Sequence, residues 1–217
     1  MENTHMNEIT QQTLSEFLDK LASRDATPGG GSAAAIMGAQ SAALTSMVCN
    51  LTIGKPQYAE VEADMQALLQ KSEHLRQQLT DMIQADVDVF NELMACYRLP
   101  KNTEAEKTER SQKIQAILKQ ATQVPLDCAK ACAEAIAISQ IAAEKGSSGV
   151  ISDAGVAVMA AYAGLKSAAL NVYINIGSLK DQDFAQQKKS ELEAILDSAS
   201  IKSEEIYQLV KNNIKGC

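Results

Sequence analysis

Two stretches of this sequence put polar groups where a helix should be apolar. The first is residues 85–91, "ADVDVFN". On a helix, Asp86 falls seven residues after Leu79, four after Met82 and three after Ile83. It precedes Phe90 and Leu93 by four and seven, so it shares their apolar face. Asp88, two residues on, points roughly 200° away. A carboxylate on an apolar face is costly unless it is paired or used, and its pKa is expected to be perturbed. Such a group can act as a general acid or base. A structural aspartate paired with a lysine or a backbone donor fits the same pattern.

The second stretch is residues 152–175, "SDAGVAVMAAYAGLKSAALNVYIN". Asp153, Ala157, Ala160, Gly164, Ala168, Asn171 and Asn175 recur at three- and four-residue spacing, giving a stripe that is small in the middle and polar at both ends. An asparagine offers both a donor and an acceptor, which suits the edge of a heterocycle. Hydrogen bonding between helices is the alternative for Asn171 and Asn175. Helix capping by Ser152 and Asp153 is the alternative at the other end.

A third feature is "TPGGGSAAA", residues 27–35, where Gly29, Gly30 and Gly31 open an alanine-rich run. Free backbone N–H groups at a helix start can meet an anionic or carbonyl edge. Glycines also remove side chains where a ligand or neighbouring helix must come close. No strand pattern precedes the triplet and no Lys-Ser/Thr follows it, so it does not match a nucleotide-phosphate loop. Ser32 reads as a cap on the helix that follows. There is no G-x-S-x-G. The lone Glu-x-x-His of residues 2–5 has no second copy, and His74 reads as solvated. With two histidines and five scattered cysteines (Cys49, Cys96, Cys128, Cys132, Cys217), no metal site is expected, and the cysteines read as free thiols of a reducing cytoplasm.

The elements that must hold these groups read as helices throughout. Leu14, Phe17, Leu18 and Leu21 mark a short first helix. Residues 32–53 follow as a small-residue helix with Ala34, Gly38, Ala42, Thr45 and Cys49 on one stripe, buried on all sides. By length it could span a bilayer, but Gln40, Asn50 and its alanine and serine content argue against that, and no second comparable span lacks polar groups. A long pattern runs from residue 58 to 97. Thr103 and Glu106 form a capping box for the next helix, which Pro125 should kink or split. "KGSSG" stops it, Ser152 opens a helix to about residue 176, and residues 184–211 close the chain. The expected fold is an all-α, up-and-down bundle of five to six long helices in a single domain spanning residues 1–217, with residues 1–9 as a flexible tail.

The formal charge is -7 over 217 residues and no basic cluster occurs, which argues against nucleic acid and anionic membranes as partners. Aromatic residues are 4% and tryptophan is absent, so base-stacking platforms are not expected. The first thirteen residues lack the apolar stretch of a secretory signal, and a cytoplasmic location is expected.

Three segments then carry a resemblance: residues 27–58, "TPGGGSAAAIMGAQSAALTSMVCNLTIGKPQY"; residues 86–103, "DVDVFNELMACYRLPKNT"; and residues 152–181, "SDAGVAVMAAYAGLKSAALNVYINIGSLKD". In order and spacing they resemble the cyclodeaminase domain of the formiminotransferase-cyclodeaminase family, which also holds free-standing bacterial methenyltetrahydrofolate cyclohydrolases. The resemblance covers about residues 10–210. It implies a helical bundle that assembles as a homodimer and works on tetrahydrofolate derivatives, with no metal and no cofactor beyond that substrate. It implies conversion of 5-formimino-tetrahydrofolate to 5,10-methenyl-tetrahydrofolate with release of ammonia. The alternative is a cyclohydrolase that interconverts 5,10-methenyl- and 10-formyl-tetrahydrofolate. A non-catalytic folate-binding helical module is the alternative of another class. By resemblance Asp86 is the catalytic residue. The expected substrate-binding set is Gly29, Gly30, Gly31, Ser32, Asp153, Asn171 and Asn175, with Lys55 and Arg98, and Lys101 beside them, as a basic rim for the folate carboxylates. Solvated surface charge is the other reading of those three. One departure is Pro56, where relatives often carry a second basic residue.

Overall fold

In the computed structural model, which describes residues 9–214, six α-helices follow one another with only 3₁₀ turns and short loops between them. They are α1 (Leu14–Leu21), α2 (Gly30–Asn50), α3 (Glu62–Tyr97), α4 (Glu104–Lys145), α5 (Ile151–Ile176) and α6 (Gln182–Asn213). Residues 1–8 of the expected tail lie outside the described residues. Residue 9 does not continue it: Ile9–Gln11 form a 3₁₀ turn, and the Ile9 N–H donates to Gln84 at 3.2 Å.

The capping chemistry of the sequence sets several boundaries. Thr13 and Glu16 form a capping box on α1, and Thr103 and Glu106 form the expected one on α4. Asp181 caps α6 by accepting from the Phe184 N–H. Two expected caps fail. Ser32 is the third residue inside α2, whose cap is Gly29, and Ser152 lies inside α5, which starts from Val150 without a side-chain cap. A 3₁₀ segment, Pro56–Val61, is the break ahead of α3.

Side-chain contacts fix the up-and-down order. Ser46 meets Ser72 and Ser32 meets Asp86, so α2 and α3 run antiparallel. Lys145 reaches Asp64 and Arg110 reaches the Tyr97 carbonyl, which does the same for α3 and α4. Tyr162 meets Ser200 between α5 and α6. The centre is α2, which packs on α3, α4 and α5. Its expected small stripe, Ala34, Gly38, Ala42, Thr45 and Cys49, is buried along its whole length. A Cβ on Gly164 of α5 would stand 2.9 Å from the Ala34 carbonyl oxygen and 3.2 Å from the Gly38 nitrogen, so these two antiparallel helices touch backbone to backbone. The expectation that α2 is buried on all sides is corrected: Met47 is exposed on its outer face, and Leu51 is exposed at its C-terminal cap. A second span is of comparable length, although it carries Asp153, Lys166, Asn171 and Asn175. Both α2 and residues 148–176 are long and apolar enough to cross a membrane by length and composition alone, and here they pack on one another.

Pro125 does not split α4, which continues over 42 residues. A proline in a helix leaves the carbonyl four residues earlier without its N–H partner. That carbonyl belongs to Ala121, and Asn175 of α5 donates its amide to it at 2.5 Å. The helix therefore stays hydrogen-bonded through a side chain of its neighbour. We expect Asn175→Leu, which keeps the branched shape and removes the donor, to destabilise the fold by about 1–3 kcal/mol. Urea unfolding of the two proteins measures it, and equal midpoints would contradict this role.

Candidate active site

The first turn of α2 is where the polar groups meet. Helix α2 stops at Gly29, while α3 runs eleven residues past Asp86 to Tyr97, about 16 Å further. A second small core, with Val89, Leu93, Ile114 and Leu118, fills the space between α3 and α4 there. The positive end of α2 thus opens between longer neighbours rather than into bulk solvent. The first N–H groups of a helix have no partner within it, and Gly29 supplies no side-chain cap.

Asp86 supplies that cap from α3. Its Oδ2 accepts from the Ser32 backbone N–H at 2.9 Å and stands 3.0 Å from the Ser32 hydroxyl. That hydroxyl also lies 3.2 Å from the Ile83 carbonyl oxygen. Among the described residues no hydrogen bond reaches Oδ1. The face assignment from sequence holds: Asp86 is half-buried beside buried Ile83 and Val87, and Asp88 is exposed and takes a bond from Gln84. Among the described residues no lysine pairs with Asp86; its partner is the backbone and hydroxyl of Ser32.

The electrostatics of this position are balanced between opposing influences. Burial pushes the Asp86 carboxyl above its ordinary value, while the hydrogen bonds from Ser32 pull it down. The N-terminus of α2 also favours the anion. A carboxyl raised by burial but still hydrogen-bonded is suited both to take and to give a proton.

The glycines shape the space around it. A Cβ on Gly31 would stand 1.9 Å from Asp86 Oδ1 and 2.4 Å from its Cγ. One on Gly30 would face Asn171 at an ordinary 3.7 Å. The first turn of α2 is thus bracketed by Asp86 on one side and Asn171 on the other. On the Asn171 side lies an open cleft of about 400 Å³, lined by Gly30, Ala33, Ser167, Leu170, Asn171 and Ile174. The Asn171 amide nitrogen donates to the Ser167 carbonyl at 3.0 Å. Leu170 and Ile174 are 69% and 71% exposed, and were not anticipated as cleft residues. Their signal in the sequence was an i,i+4 apolar pair lying off the small stripe of α5.

The formiminotransferase-cyclodeaminase family model matches residues 13–194, the span that holds Gly29–Gly31, Asp86 and Asn171. The chain belongs to the formiminotransferase-cyclodeaminase family. It is 57% identical over 203 residues to a methenyltetrahydrofolate cyclohydrolase of Methylorubrum extorquens, covering 94% of this chain and 98% of that one. It is 32% identical over 191 residues to the formimidoyltransferase-cyclodeaminase of Rattus norvegicus, covering 88% of this chain and 35% of that longer relative. Among solved structures, a formiminotetrahydrofolate cyclodeaminase of Thermotoga maritima has a TM-score of 0.80 at 30% identity, covering 96% and 98% of the two chains.

In this member of the formiminotransferase-cyclodeaminase family, the other expected site residues fall elsewhere within the chain. Asp153 precedes Asn171 by eighteen residues on α5, about 27 Å along the helix. Lys55 lies past the far end of α2, where its Nζ bonds Ser147, beside a contact between Tyr58 and Ser148. Arg98 caps α3 in the open, twelve residues or about 18 Å beyond Asp86, and Lys101 is exposed in the next loop. Asn175 is turned onto α4 as described, so the expected Asn171–Asn175 pair does not act as a unit. Within the chain the structure gathers Gly29, Gly30, Gly31, Ser32, Asp86 and Asn171, and separates Lys55, Arg98 and Asp153 from them. Cys49, Cys128 and Cys132 are free and buried and Cys96 is free and partly buried, as expected of thiols; Cys217 lies outside the described residues.

Proposed function

We propose that this chain is a folate one-carbon enzyme acting at the carbon that bridges N5 and N10 of tetrahydrofolate, and that it hydrolyses and re-forms 5,10-methenyl-tetrahydrofolate. The observation that carries the chemistry is the Asp86 carboxylate, held by Ser32 through one oxygen at a helix N-terminus. Water attacks the amidinium carbon and forms the C–O bond, while Asp86 takes the water proton. The C–N5 bond then breaks, N5 keeps the electron pair and gains a proton, and the hydroxyl proton leaves as the formyl C=O forms on N10. A proton is released overall. The anionic carboxylate also stabilises the cationic methenyl carbon. Asn171 is suited to hold a polar edge of the substrate across Gly30, and this scheme calls on no metal and no further cofactor.

Between the two reactions of the family, the cyclohydrolase reading is supported by 57% identity spanning nearly all of both chains. Ammonia release from the 5-formimino compound is the second reading, supported by the Thermotoga maritima neighbour at 30% identity. Both pass through the same kind of tetrahedral carbon. We also infer a homodimer in the cytoplasm. The outer face of α2 and α5 supports the dimer, because Met47, Leu51, Val156, Met159, Leu170 and Ile174 are all exposed on these packed helices, and such patches mark association surfaces.

Absorbance in the methenyl-folate band tests the reading with both substrates side by side. We expect the band to decay with the methenyl substrate much faster than it grows from the formimino substrate. Faster growth from the formimino compound would reverse the choice of reaction. Binding of both without turnover would replace the enzyme with a folate-binding module. Light scattering of the same sample should return twice the chain mass, and a single chain mass would remove the dimer.

A further inference from the structure

The two oxygens of Asp86 stand in unlike surroundings, and one residue makes them so. Ser32 is fully buried, and its N–H and hydroxyl both address Oδ2, at 2.9 and 3.0 Å. Oδ1 lies over the Cα of Gly31, in the space a Cβ would fill, and receives no hydrogen bond from any described residue. We propose that Ser32 is a positioning residue that anchors Asp86 through Oδ2, leaving Oδ1 as the atom that exchanges protons during turnover. The inference rests on the assignment of Asp86 above.

The Ser32 hydroxyl has one hydrogen and two acceptors, Asp86 Oδ2 and the Ile83 carbonyl at 3.2 Å. With Asp86 ionised, Oδ2 is the stronger acceptor, because hydrogen bonds to charged groups exceed neutral ones. When Oδ1 takes a proton, Oδ2 weakens as an acceptor and the hydroxyl hydrogen can turn to Ile83. Both states stay satisfied without movement of the Asp86 side chain. The backbone N–H of Ser32 holds Oδ2 in either state. Ser32 gains and loses no proton in this scheme; it rotates.

Few charges compete for control of this carboxyl. Helix α2 contains no Asp, Glu, Lys, Arg or His over its 21 residues. On its own helix, Asp88 is exposed and bonded to Gln84. In the loop entering α2, Arg24 and Asp25 are exposed. On α5, the cleft side presents Ser167 and Asn171, and Lys166 is exposed. Burial and the Ser32 hydrogen bonds set the direction in which the Asp86 carboxyl is shifted, with the N-terminus of α2 favouring the anion.

Ser32→Ala isolates the hydroxyl, since it keeps the backbone N–H and improves helix propensity in a helix interior. Losing one hydrogen bond to a charged group should raise the Asp86 pKa by roughly one to two units. The acid limb of the kcat/KM profile should move up in pH by the same amount. The carboxyl carbon resonance of Asp86, followed by NMR titration, reads the pKa without reference to activity. In an Asp86→Asn background, the Ser32→Ala change should cost less than about twofold, because it acts through the carboxylate. An Asp86 resonance that titrates alike with and without the Ser32 hydroxyl would overturn the anchoring role, whatever the rates do. A shifted resonance with an unmoved acid limb would keep the anchor but remove Asp86 as the group on which the rate depends, which overturns the reading beneath it. A full loss from Ser32→Ala in the Asp86→Asn background would make Ser32 a structural or substrate residue instead.

Discussion

Asp86→Asn is expected to fold, to bind folate, and to lose turnover by about 10²- to 10⁴-fold, the range typical of a general acid–base group. Asparagine can still accept from the Ser32 N–H, so the geometry at the start of α2 survives while proton exchange does not. The same variant should be slightly more stable than the parent at neutral pH. The Asp86 carboxyl is raised in the folded chain relative to its ordinary value, chiefly by burial. Below the unfolded value both states are protonated and no penalty exists. Between the two values the unfolded chain has already released its proton and the folded chain has not, so stability falls as pH rises. Above the folded value the penalty is complete, and removing the charge relieves it. Steady-state kinetics and thermal unfolding near pH 7 check both halves. Near-normal turnover would remove Asp86 from the mechanism, and a lower melting temperature would contradict the cost of burying its charge.

Gly31→Ala should be nearly as damaging to activity, by a purely steric route. The added methyl would stand 1.9 Å from Oδ1, 2.4 Å from Cγ and 2.8 Å from Oδ2 of Asp86, so the carboxylate must leave its place on Ser32. The backbone is no obstacle, since Gly31 sits in ordinary helix and Gly54 alone among the described glycines has positive φ. Alanine there would improve the helix by about 1 kcal/mol were the space free. We expect kcat/KM to fall by about 10²-fold or more, because misplacement of a reacting group by about 1 Å can cost that much. Gly30→Ala is the matched control. Its methyl would meet Asn171 at 3.7 and 3.8 Å, ordinary contact distances, and activity should change severalfold at most. If Gly31→Ala kept parental kcat/KM, the held geometry of Asp86 would not matter to the rate.

The helices and the position of Asp86 were legible because both are periodic properties. An aspartate in register with Leu79, Ile83 and Leu93 has one face to occupy, and α3 gives it that face. What could not be read was the register between helices. Ser32 looked like a cap because its residue type suits one; that it lies inside α2 and serves a carboxylate 54 positions away depends on how α2 and α3 are offset. Asn175 looked like half of a site pair. Pro125 did announce that some carbonyl would be left over, but only the offset of α4 and α5 shows that Asn175 takes it. Asp153 and Asn171 share a stripe, yet a stripe on a 26-residue helix is long, and its two ends reach different parts of the bundle.

The close contact of α2 with α5 also sorts the walls of the cleft by how freely they can vary. The α2 wall is Gly30 and Ala33; a methyl on Gly30 would meet Asn171 at 3.7 Å, an ordinary contact, while Gly31 behind it has no room for one beside Asp86. Enlargement on this side is bounded by Asn171 next to Gly30 and by Asp86 next to Gly31. The α5 wall differs within the chain, because Leu170 and Ile174 face outward at 69% and 71% exposure and no core of the single chain depends on their shape, which leaves the inferred dimer contact to constrain them. A change of substrate preference, by selection or by design, therefore has more room on the α5 side of the cleft than beside Asp86.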